Sequence, residues 1–93
     1  MKEWKKAVSD RIVEGAKETK IVMLRDVVRD MMGEKIAHVR RQDAMDIMRD
    51  AESRCPDMKL VRMVKNENDK SSFFQTACLV DKSLKFDDGS EEY

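Results

Sequence analysis

Apolar positions recur at helical spacing over the first half of the chain and at strand spacing over the second, and the change falls at Pro56. Between residues 2 and 17, Trp4, Ala7, Val8 and Ile12 share one stripe of a 3.6-period helix. Arg11 interrupts that stripe, a position it can hold with its aliphatic stem on the core and its guanidinium in water. Gly15 weakens the last turn and marks an early stopping point. The segment TKIVM, Thr19 to Met23, is a brief strand or a lead into the next helix. Leu24, Val27, Val28, Met31 and Met32 then line one side of a helix, with Arg25, Asp26, Arg29 and Asp30 on the other, and Gly33 supplies a stop that accepts positive φ. After a polar turn, a further helix starts near Arg40 or Arg41 with Ala44, Ile47, Met48 and Ala51 as its inner stripe. Met58–Val64 and Phe73–Val80 read as two strands of an antiparallel hairpin around the polar tip KNENDKSS.

Length and charge narrow the function classes. Ninety-three residues form one modest core, too small for a deep catalytic cleft or a buried cofactor cavity. Nineteen basic residues balance nineteen acidic ones, but four of the acids lie in the last eight residues, FDDGSEEY. Residues 1–85 are therefore a mildly basic domain, and residues 86–93 are expected to be a disordered acidic tail. Cys55 and Cys78 lie outside any paired-cysteine spacing, so free thiols are expected. No apolar run reaches the roughly 18 residues of a membrane span and the start is too polar for a signal peptide, which makes a cytoplasmic protein the expectation. Most of the eight methionines fall at inward positions and read as core filling.

The order helix, short extended piece, helix, turn, helix, strand, polar loop, strand resembles that of the winged helix-turn-helix superfamily. The resemblance spans residues 2 to about 82 and is carried by RRQDAMDIMRDAES, by MKLVRMV after Pro56, and by KNENDKSS. It implies an α+β fold, mostly helical, with three helices and a C-terminal β-hairpin wing, and it implies a DNA-binding regulator of transcription; small size and the lack of targeting signals make a prokaryotic or viral setting the expectation. Two departures stand out. The turn from about Gly33 to Arg40 exceeds the three or four residues of the simplest helix-turn-helix. Residues 40–54 hold four arginines against Asp43, Asp46, Asp50 and Glu52, a neutral recognition helix where DNA-binding members are basic.

With the inner stripe placed as above, Gln42, Asp46, Arg49 and Ser53 project outward, flanked by Met45. In a major groove, glutamine pairs with adenine, arginine with guanine, and aspartate accepts from cytosine. The same residues are equally an ordinary solvated helix face. His38, Arg40 and Arg41 sit where winged domains meet the phosphate backbone, and Lys65, Asn66, Asn68, Lys70, Ser71 and Ser72 on the wing would add contacts there. Any exposed loop tip has a similar composition. A homodimer paired through the first helix, by Trp4 and Val13, would raise affinity, although Trp4 serves more readily as a core anchor. The neutral helix leaves a second function open, a protein-binding adaptor or inhibitor. The acidic tail would compete with DNA for the wing, dock on a basic partner, or simply solubilise the chain's end. Catalysis finds no support, since His38 is the only histidine, no metal-ligand cluster is present, and three isolated glycines build no phosphate loop. No cofactor is expected.

Overall fold

A computed structural model describes residues 1–33, 39–63, 71–84 and 90–92, the last group by backbone alone. The elements are α1 (Glu3–Glu18), β1 (Ile21–Met23), α2 (Leu24–Met32), α3 (Arg41–Ser53), β2 (Met58–Met63), a helical turn α4 (Phe73–Thr76), β3 (Ala77–Asp81) and β4 (Ser90–Glu92). The strands form one antiparallel sheet in the order β1-β3-β2-β4, an α+β architecture. β3 is central and buried on both faces. Ala77 and Leu79 join the main core, while Cys78 and Val80 pack with Val61 and Met23 on the other side. Among the described residues no helix is long and apolar enough to cross a membrane.

The main core follows the hydrophobic pattern most closely in α3, where Ala44, Ile47, Met48 and Ala51 are all fully buried. In α2, Leu24 and Val28 are buried, Val27 and Met32 pack against the core, and Met31 is left exposed. Gly33 ends α2 with φ of 89°, in the region that costs glycine nothing, and its N–H donates to the Arg29 carbonyl.

Three elements depart from the sequence expectation. The buried side of α1 is Lys5, Val8, Ser9 and Ile12, so the helix is turned away from the Trp4 and Ala7 stripe. Ala7 is exposed, Trp4 and Val13 are half-buried against the core, and Arg11 reaches out to Asp30 on α2 at 3.0 Å. The helix also runs through Gly15, whose missing side chain faces Val22 of β1. The first half of the expected second strand is the turn α4. Strand geometry would send Phe73 and Phe74 to opposite faces, whereas one helical turn buries both in the same core. Ser72 caps that turn by accepting the Gln75 N–H, and Arg62 braces it by donating to Thr76 Oγ1 at 3.0 Å and to the Ser71 carbonyl at 2.7 Å. Finally, where a disordered tail is expected from Asp87, Ser90–Glu92 pairs with β2, setting Arg62 opposite Glu91. An open strand edge offers unsatisfied backbone groups to any nearby extended segment, which is the physical reason a polar tail can take a strand position there.

Candidate nucleic-acid interface

α3 begins at Arg41 after Arg40, whose carbonyl accepts the Ala44 N–H at 2.9 Å. Once the apolar stripe is seated, the remaining circumference of the helix divides in two. One flank carries Asp43, Asp46 and Asp50, spaced three and four residues apart and so aligned in a row. That row lies against α1. Lys5 Nζ bridges Asp43 Oδ1 at 3.0 Å and Asp46 Oδ2 at 2.9 Å, with its side chain only 10% exposed. Ser9, fully buried, donates to Asp50 Oδ2 at 2.6 Å. Arg54 closes the far end, pairing with Asp50 at 3.2 Å and with Asp10 of α1 at 2.8 Å.

The charges follow from these contacts. The hydrogen bond from Lys5, and then that from Gln42, holds the Asp46 carboxyl below its ordinary value, and the hydrogen bond from Ser9 does the same for Asp50. Lys5 is correspondingly raised by its hydrogen bonds to Asp46 and Asp43. Asp46 and Asp50 are thus held as carboxylates, and the row as a whole is matched by Lys5 and Arg54.

The other flank and the outward ridge hold the remaining polar residues. Arg40, Arg41, Gln42, Arg49 and Ser53 are exposed. Arg41 lies 5.4 Å from the centre of the Phe73 ring, a cation–π contact that ties the start of α3 to α4 while leaving the side chain at the surface. Arg49 meets Glu52 at 3.4 Å, and the second oxygen of Glu52 accepts the Leu60 N–H at 2.9 Å. Glu52 is therefore anchored to β2, and Arg49 leans on an acid that is already occupied.

The residues expected to read bases do not share one situation. Gln42 and Arg49 stand on the ridge, and Ser53 does so with its hydroxyl donated to the Asp50 carbonyl at 2.7 Å. Met45 is half-buried and packs against the core. Asp46 has both oxygens engaged, Oδ2 by Lys5 and Oδ1 by the Gln42 amide at 2.9 Å, which departs from the expected role of accepting from cytosine. Of the backbone-contact set, Arg40 and Arg41 lie at the start of α3. Ser71 and Ser72 are half-buried and turned to bracing and capping α4. His38, Lys65, Asn66, Asn68 and Lys70 lie outside the described residues.

Residues that the hydrophobic pattern missed are Lys5, Ser9 and Arg54. The signal that could have found them is the aligned row of three aspartates, which needs a cationic or hydroxylic neighbour wherever it is covered.

Elsewhere the surface is less suited to an anion. A groove of about 640 Å³ is formed by α1, β1 and α2, and its lining carries Glu14, Glu18, Asp26 and Asp30 against Arg11. Burial pushes both thiols up, Cys78 to about 12, so neither is a ready nucleophile near neutral pH. No family model, curated protein or solved structure matches this chain.

Proposed function

We propose that this chain is a winged helix-turn-helix protein that binds double-stranded DNA as a regulator of transcription, with α3 in the major groove and the 65–72 segment on the backbone. The strand order supports the fold reading, because β1, arriving between the first two helices, pairs with β3 and puts the β2–β3 hairpin beyond it. One observation carries the functional reading. Three of the four acids that make α3 neutral by composition, Asp43, Asp46 and Asp50, are turned to α1 and paired there, and the fourth, Glu52, is held between Arg49 and the Leu60 N–H, so the outward side keeps Arg40, Arg41, Arg49 and Gln42. A helix that is neutral in sequence presents a basic face.

The test is fluorescence anisotropy of the protein on mixed-sequence duplex DNA between about 50 and 200 mM salt, the range over which phosphate contacts reveal themselves. Three to five contacts per subunit give a slope of about −3 to −4.5 in log K against log salt. Arg41→Glu and Arg49→Glu should each abolish binding and leave the circular dichroism spectrum unchanged. Absence of binding at the lowest salt would overturn the reading in favour of a protein-binding module, whose association salt would leave unaffected.

A further inference from the structure

The contact between Asp46 and Gln42 has a directional property. Asp46 is an ionised carboxylate and can only accept, so the amide group facing it must be the nitrogen of Gln42. Nε2 is thereby held inward and the carbonyl oxygen of Gln42 is turned away from Asp46. The orientation is relayed from α1, because Lys5 holds the other carboxylate oxygen and fixes Asp46 in turn.

We propose, resting on the DNA-binding reading above, that Lys5 and Asp46 are positioning residues that set Gln42 to prefer adenine over guanine at the base it faces. Adenine offers N6–H as a donor and N7 as an acceptor, and a glutamine reads it with the carbonyl oxygen and the amide proton on the same side. The other amide proton points away from the carbonyl, and it reaches Asp46 without disturbing that pair. Guanine offers two acceptors, O6 and N7, which an outward carbonyl oxygen repels. A glutamine free to rotate by half a turn would accept either base. Asp46 and Lys5 remove that freedom, so the helix gains discrimination from residues that touch no base.

The relay predicts an inversion by an isosteric change. In Asp46→Asn, Lys5 claims the single carbonyl oxygen of the new amide and leaves its NH2 to face Gln42. Gln42 then turns over, with its carbonyl inward and its NH2 outward. Preferred duplexes are first selected from a randomised pool with the wild-type protein. Anisotropy is then measured on the selected duplex and on variants of the position that Gln42→Ala makes indifferent. The wild type should favour adenine there by about five- to 150-fold, the range of one bidentate pair. Asp46→Asn should shift that preference to guanine. Lys5→Met should reduce it, since Asp46 is then no longer held from its other oxygen. Circular dichroism checks that each variant is folded, and the Asp46→Asn chain retains the Lys5–Asp43 bridge.

An unchanged adenine preference in Asp46→Asn would overturn the relay while leaving DNA binding intact. So would a wild-type selection with no position dependent on Gln42. A wild type that binds no duplex would overturn the DNA reading itself, and the relay with it. The side-chain amide protons of Gln42 in a nitrogen-proton correlation spectrum give a readout without DNA. Their two resonances should move in Asp46→Asn, and resonances unmoved by that change would also overturn the relay.

Discussion

On the side of α3 that faces the core, Ala44, Ile47, Met48 and Ala51 are closed to solvent, whereas on the side that faces α1, Asp43, Asp46 and Asp50 meet Lys5, Ser9 and Arg54 across bonds of 2.6 to 3.2 Å. The first side is held by an interaction roughly proportional to buried area and indifferent to direction. It therefore specifies that the helix packs, with some latitude in how. The second is held by contacts that tolerate little rotation, and partly exposed ion pairs of this kind contribute little net stability. Its contribution is to the angular setting of α1 against α3 and to the charge that α3 shows to its surroundings.

Substitutions can separate these two roles. The largest effect is expected from Ile47→Asp, which places an unpaired charge at a position with no exposure. It should cost about 4 kcal/mol or more and leave an unfolded chain by circular dichroism. A folded Ile47→Asp would show that the apolar side is not the one that holds α3. Ser9→Ala acts on the polar side alone. It removes the 2.6 Å bond to Asp50 but leaves Arg54 on that carboxylate, so a loss of about 1–2 kcal/mol in urea unfolding is expected.

Acid should weaken the same seam. Asp46 and Asp50 have folded values lowered from 3.8, so below 3.8 the unfolded chain binds more protons than the folded one. Their stabilisation is fully present above that value and is lost as the pH falls through 3.8 towards the lowered folded values. The urea midpoint should decline through that window, and Asp50→Asn should flatten the decline. A midpoint as steep in Asp50→Asn as in the wild type would place the acid sensitivity outside the seam. The smallest effect is expected from Gly15→Ala, which touches neither side of α3. The added Cβ would meet Val22 Cγ2 at 3.4 Å, an ordinary contact, so the gain in helix propensity should raise stability by about 0.5–1 kcal/mol.

This division also accounts for what could be read from residue types. The apolar stripe of α3, the stop at Gly33 and the start of β2 after Pro56 all follow from local periodicity, turn chemistry and strand propensity, whereas the five residues of TKIVM leave β1 open between a strand and a lead into α2. The setting of α1 does not, because Lys5 and Ser9 are the residues a hydrophobic pattern sends to water. Only the aspartates of α3, some forty positions away, make their burial favourable. Phe73 and Phe74 misled for a related reason. Their β propensity is real, but two adjacent aromatic side chains can enter one core only from a helical turn. The side of α3 proposed for DNA was hidden in the same way, since a count of charges along α3 cannot tell which acids are already matched across an interface.

The central place of β3 carries a consequence for how the chain acquires its structure. β1 and β2 share no ladder. Each pairs with β3, which follows both in the sequence. While the chain is being synthesised, helices α1 to α3 can form and meet, but the sheet has no middle until residue 81 has emerged. Pairing Ile21 with Val80 then closes most of the sequence in one step, the kind of distant contact that slows folding. The nascent chain should therefore pass through a helical stage with two unpaired strands, and it is in that interval that it would be most open to chaperones and to mispairing with its neighbours.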